Sequence, residues 1–157
     1  MLYFAYGSNL NQEDLREWCE RHCRPILELR MRSVGLLGGR RLDFTAYSRV
    51  RHGGVADIVK DEDSCVYGVV FKVSSSLVAV LNEKEGINGG QYRQSHVAVH
   101  LAPSGAVEED VLTYEVVKKK FNTYKPSRQY MDVIIKGAEA YGLPPPWIEK
   151  LKSIETN

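Results

Sequence analysis

Apolar and polar positions alternate unevenly along this chain, and the unevenness marks out its elements. LYFAY, residues 2–6, has little polar interruption and predicts a central strand, which the small polar turn Gly7-Ser8-Asn9 ends abruptly. Asn9 or Asn11 is placed to cap a helix over about residues 12–22, with Glu13 and Asp14 at its positive end and Arg24-Pro25 closing it. From residue 26 to 50 the pattern is mainly β, and Gly38-Gly39 marks a bulge or turn within it. HGGVADI at 52–58 predicts another strand, DEDS at 61–64 a hairpin turn, and the β-branched CVYGVVFKV at 65–73 the return strand.

Ser74, Ser75 and Ser76 offer caps for a short helix, SSLVAVLNEKEG, closed by Gly86. QYRQSHVAVHL at 91–101 alternates cleanly, and VEEDVLTYEV returns from the turn at PSGA to make a second hairpin. KKKFNTYKP at 118–126 reads as a surface loop. Ser127 caps an amphipathic helix, SRQYMDVIIKGAEAYG, stopped by Gly142; Pro144, Pro145 and Pro146 lead into a last short helix through WIEKLKSIE. Hairpins and helices together predict an α+β fold: a small mixed, partly closed β-barrel flanked by helices, forming one domain over residues 1–157.

Composition narrows the partners. With 43% hydrophobic and 26% charged residues and a formal net charge of +1, the chain has no general attraction for nucleic acid or anionic lipid. The basic stretches KKKF and GGRR do not outweigh that balance. No window approaches the roughly 18 apolar residues of a membrane span, and no basic-then-apolar leader opens the chain, so a cytoplasmic location is expected. Cys19, Cys23 and Cys65 read as reduced structural thiols, and His22 and His52 complete no recognised ligand spacing, so no metal site is expected.

Why the first strand delivers a glycine turn has two answers at the level of the residues. Glycine lets backbone approach a ligand, successive N–H groups can cradle a carboxylate or oxyanion, and a helix start adds positive potential. The same residues would also serve as a tight strand-to-helix connection with Ser8 or Asn9 as a cap.

YFAYGSNL, HGGVADI, YGVVFKV, LNEKEGINGGQY, PSRQY and KGAEAYGLP stand here in one order. Together they resemble the gamma-glutamylcyclotransferase family, including its AIG2-like members, from Leu2 to about Ile154. The specific part is YGSNL followed by Glu85-Gly86 with Tyr92, then Gly137-Ala138 and Gly142-Leu143-Pro144. The resemblance implies that Tyr3, Phe4, Ala5, Tyr6, Gly7 and Ser8 form the substrate loop, that Glu85 is catalytic and that Tyr130 contacts substrate. It implies a cofactor-independent enzyme acting on a small γ-glutamyl substrate, as a monomer or homodimer. Many members read LD-x-x-EG; this chain has Leu81-Asn82, which puts a capping or supporting hydrogen bond in question.

The implied reaction turns a γ-glutamyl amide into 5-oxoproline and a free amine by attack of the substrate's own α-amine. It calls for orientation, oxyanion stabilisation and a carboxylate that takes and returns a proton. A glutamate with a free value of about 4.3 would need an apolar, partly dry setting to work near neutrality, which Leu81, Gly86 and Ile87 around Glu85 would permit. Tyr6, Tyr92 and Tyr114 are expected in the core or pocket wall, with Arg93 and His52 as candidate supporting partners. The loop 118–126 is where leaving-group contacts are expected. Two alternatives stay open: cyclisation of γ-glutamyl amines or of a γ-glutamyl-protected biosynthetic intermediate, and a catalytically silent relative that only binds a small ligand.

Overall fold

Two long strands carry the architecture. In the computed structural model, which describes residues 1–157, β2 (Arg30–Ser48) and β3 (Gly53–Lys72) pair antiparallel along nearly their whole length. The short β1 (Leu2–Ala5) adds antiparallel to β3, from Leu2 opposite Lys72 to Ala5 opposite Val69. On the other side β4 (Tyr92–Leu101) joins β2 at Gly35 and Leu36, and β5 (Val107–Val116) pairs antiparallel with β4. Parallel pairing of β1 with β5, at Tyr3 opposite Leu112, closes the ring in the order β1-β3-β2-β4-β5. The expected α+β barrel is therefore present, and its ring is complete rather than partial.

Four helices flank it: α1 (Gln12–Arg21), α2 (Ser75–Lys84), α3 (Arg128–Ala140) and α4 (Pro145–Lys152). Three of them start on the side chains that the sequence offers as caps. Asn11 accepts from the Asp14 amide at 3.0 Å, Ser74 from Leu77 at 3.2 Å and Ser127 from Tyr130 at 3.1 Å, each satisfying an N–H with no partner within its helix. Phe4, Val66, Val70 and Phe71 from the barrel, with Leu10, Leu15, Leu81, Met131 and Ile134 from the turn and helices, form one continuous buried cluster. No helix is long and apolar enough to cross a membrane.

DEDS is not a hairpin turn. β3 passes through residues 61–64 without reversing, so HGGVADI and CVYGVVFKV are two halves of one strand, both paired with β2. The register jumps from Arg40 opposite Lys60 to Gly38 opposite Cys65, which leaves residues 61–64 facing the lone Gly39. Gly39 has φ +72°, the left-handed conformation a bulge residue needs. The turn chemistry is real but local: Asp61 accepts from the Ser64 hydroxyl and the Asp63 amide within the excursion.

Gly137 explains part of the GA-x(3)-GLP pattern. A Cβ there would stand 2.5 Å from the carbonyl carbon of Leu10 and 2.6 Å from its oxygen, so glycine lets α3 lie against the backbone that follows the YGSN turn. Alanine would gain up to about 1 kcal/mol of helix propensity. Displacing a backbone neighbour typically costs about 1–3 kcal/mol, and the clash is with main chain that cannot swing aside. Gly137→Ala should thus lower the urea midpoint; an unchanged or raised midpoint would show that α3 can shift freely.

Candidate active site

Glu85 and the strand-one turn share one cavity of about 230 Å³. That is below the roughly 300–1,000 Å³ of sites for drug-sized ligands and suits a small molecule. Its wall includes Tyr3, Tyr6, Gly7 and Ser8 from the first segment, Glu85 from the end of α2, and Tyr130 from the first turn of α3. Phe4 and Ala5 do not reach the wall: both are buried in the barrel, and the Phe4 carbonyl accepts from the Thr113 hydroxyl at 2.9 Å.

Local folding presents the turn. Leu10 N–H donates to the Gly7 carbonyl and Asn11 N–H to the Ser8 carbonyl, making a 3-10 turn over Ser8–Leu10. The N–H groups of Ser8 and Asn9 open that turn and have no partner within it. A Cβ on Gly7 would stand 3.2 Å from the Ala56 Cβ and 3.8 Å from the Tyr130 hydroxyl, inside the cavity wall. Glycine at position 7 keeps that space clear.

Asn9 joins the two halves of the site. Its buried side-chain Nδ2 donates to Glu85 Oε1 at 2.8 Å and to the Tyr3 hydroxyl at 2.8 Å. Its Oδ1 accepts from the Lys84 ammonium at 2.8 Å. The sequence points to Asn9 only as a cap or turn residue and gives Lys84 no role, yet both stand on the wall. Their signal was position alone, one inside YGSNL and the other directly before Glu85. The apolar setting expected for Glu85 is only partly present. Leu81 is fully buried one helical turn away, but the Lys84 ammonium lies 4.0 Å from Glu85 Oε1.

Hydroxyl groups complete the wall. Burial, then the charge of Glu85, pushes the Tyr3 hydroxyl well above its ordinary value, so it stays a neutral donor. Burial pushes Tyr130 up to about 12, against the lowering effect of the Ala56 N–H, which donates to it at 3.0 Å. Since Tyr130 accepts there, its own hydrogen is free for a ligand. The Ala56 carbonyl takes the Tyr92 hydroxyl at 2.7 Å, so one residue of β3 fixes two tyrosines. The Arg51 guanidinium lies over the Tyr130 ring, 5.4 Å from its centroid, and is tied to Asp14 by two bonds of 2.7 and 2.6 Å.

Other expectations fall differently. Asn82 still accepts two hydrogen bonds at Oδ1, from the Tyr114 hydroxyl at 2.6 Å and from Gln94 at 2.8 Å, so the amide supplies the acceptor although it lacks an aspartate's charge. Arg93 is paired with Glu115, and the backbone of His52 takes the Asn157 side chain; neither lines the cavity. No residue of the loop 118–126 reaches the wall either. Lys119, in the middle of the basic run, turns inward to Asp57 at 2.7 Å. In place of that loop, α1 supplies Trp18 and Arg21, and Arg21 makes no ion pair.

The chain and its fold have close counterparts. A family model described as the AIG2-like family matches residues 65–151. The mouse protein named gamma-glutamylcyclotransferase is 34% identical over 162 residues, covering 99% of this chain and 79% of the mouse protein. The human protein of that name is 33% identical over 160 residues, with the same coverage of 99% and 79%. A solved structure named gamma-glutamyl cyclotransferase superposes with a TM-score of 0.86 at 34% identity, covering 100% of this chain and 89% of that one. Sequence likeness along almost the whole length, on the same closed barrel, means that the chain belongs to the gamma-glutamylcyclotransferase family, of which AIG2-like proteins are part.

Proposed function

We propose that the protein is a gamma-glutamylcyclotransferase, converting a γ-glutamyl amide to 5-oxoproline with release of the amine. The substrate's α-amino nitrogen, an ammonium at the outset, gives up two protons and bonds to its γ-carbonyl carbon, the bond from that carbon to the leaving nitrogen breaks, and the leaving nitrogen takes both protons and departs as an ammonium. Atoms and charge balance without a protein nucleophile, a metal or a redox partner. Glu85 is the group that relays these protons one at a time from the attacking nitrogen to the leaving nitrogen. The turn at Gly7 and Ser8 holds an anionic oxygen of the substrate, and the Tyr130 hydroxyl donates to its carboxylate. Holding the chain bent for ring closure supplies the largest share, since well-oriented intramolecular attack is worth roughly 7–11 kcal/mol.

The observation that carries this reading is the Asn9 amide, bonded to Glu85 and Tyr3 at 2.8 Å each, because it ties the acid–base candidate to the substrate loop. The names of the relatives support the same chemistry. The unpaired Arg21 at the cavity favours a leaving group with its own carboxylate, as in a γ-glutamyl amino acid, over a simple γ-glutamyl amine. Incubation with γ-glutamyl-alanine and with γ-glutamyl alkylamines should release 5-oxoproline, faster from the former. No 5-oxoproline from any member of the panel refutes the assignment; equal rates would keep the ring closure and remove Arg21 from it.

A further inference from the structure

We propose that Lys84 is a positioning residue, whose ammonium locks the Asn9 side-chain amide in the orientation that aims its N–H donors at Glu85 and Tyr3. The kinetic consequence rests on the cyclotransferase reading above; the geometry does not.

An ammonium has three donors and no acceptor. Lys84 Nζ lies 2.8 Å from one terminal atom of the Asn9 amide, so that atom must be the oxygen. The other terminal atom is then the NH2 group, and it is this group that meets Glu85 Oε1 and the Tyr3 hydroxyl. Turning the amide over would set NH2 against the ammonium and a carbonyl oxygen against the carboxylate. Both contacts would repel, at Lys84 and Glu85 side chains only 6% and 15% exposed. With Asn9 donating to it, the Tyr3 oxygen is an acceptor, and its own hydrogen is released toward the cavity. The ammonium and the carboxylate thus fix the amide's direction together, and once Glu85 has taken a proton and could itself donate, the ammonium alone still fixes it.

Packing does not account for this lysine. At the last position of a helix a lysine ordinarily extends its head into water. Here the side chain is 6% exposed. Burial lowers its hold on its proton, and the charges of Glu85 and, from α1, Asp14 act against that loss. Arg51 and Cys19 are the other titratable groups that bear on it. An apolar chain of equal length would fill the space without that penalty, so the retained feature is the charged donor.

The test uses Lys84→Met and Lys84→Gln in the full chain, with two readouts. In the unliganded protein the two Asn9 side-chain amide protons should give separate, slowly exchanging resonances in wild type. Lys84→Met should make them exchange roughly tenfold faster or more, while Lys84→Gln, which can still donate to the oxygen, should restore slow exchange. On γ-glutamyl-alanine, Lys84→Met should cut kcat roughly tenfold or more with a smaller change in KM. Lys84→Gln should recover kcat. Unmoved Asn9 resonances in both folded variants overturn the proposal, as does a loss of kcat that Lys84→Gln does not recover. Should Lys84→Met not fold, a roughly tenfold loss of kcat or fast Asn9 amide exchange in Lys84→Gln overturns it. Absence of wild-type turnover would refute the cyclotransferase reading and leave the amide resonances to decide the geometry.

Discussion

Glu85→Gln should reduce 5-oxoproline formation by about 10²–10⁴-fold, the usual contribution of a positioned acid–base group. The replacement has the same shape and retains an oxygen that can accept from Asn9, so the bridge to the loop survives. What it loses is the capacity to take a proton from the substrate's ammonium and return it to the leaving amine. The buried Lys84 ammonium loses its nearest carboxylate, so the unfolding free energy should fall by about 1–3 kcal/mol with the fold retained, measured by urea titration beside the rate. Glu85→Asp gives a complementary result. It keeps the carboxylate but withdraws it by one methylene, and a displacement on the order of 1 Å can cost roughly a hundredfold. A Gln variant that keeps a third of the wild-type rate, as a rough bound, would move the proton transfer to another group.

Lys119→Met should cost about 3–5 kcal/mol of stability, the usual penalty for leaving a buried charge without its partner. Asp57 is wholly buried, and its carboxylate accepts from the Thr45 hydroxyl at 2.7 Å, the Ile58 and Val116 amides at 2.9 Å each, and Lys119 at 2.7 Å. Only the last of these carries a compensating charge. Glu115 would lose less, since Arg93 at 2.9 Å and Arg40 at 3.6 Å remain beside it. At this chain length each kcal/mol shifts Tm by roughly 2–4 °C, so the fall should be plain in a melting experiment. Asp57→Asn combined with Lys119→Met should recover much of the loss, because the stranded charge is then absent. A single-variant loss below about 1 kcal/mol would mean that water reaches Asp57. The Asp57 side chain projects from β3 next to Ala56, whose N–H and carbonyl hold Tyr130 and Tyr92, so the same variant should also weaken activity.

What was legible in the sequence was local chemistry. Asn11, Ser74 and Ser127 stand where a hydroxyl or amide oxygen meets the first free N–H groups of a helix, and each caps one. Gly38-Gly39 reads as a break in β pattern and is one. DEDS misled because turn-forming residues satisfy one another over three or four positions whether or not the chain then reverses; the choice was made by β2, which pairs on both sides of the excursion. Lys119 reads as solvated until Asp57 is known to lie across from it. Closure of the barrel rests on one register pair between the first and last strands, for which no neighbouring residues carry a signal. Within the site, Glu85, the YGS turn and Tyr130 come from the family pattern, whereas Asn9 and Lys84 as a linked pair depend on two segments far apart along the chain.

The four residues of β1 have one more consequence. They bond to β3 at Lys72 and to β5 at Leu112, so the barrel's first strand waits for its last, a long-range topology that slows folding. Until that seam is sewn there is no pocket, only its scattered margins. Any compound that occupies the pocket is therefore a probe of the seam, and its protection against melting should grow with the logarithm of its concentration.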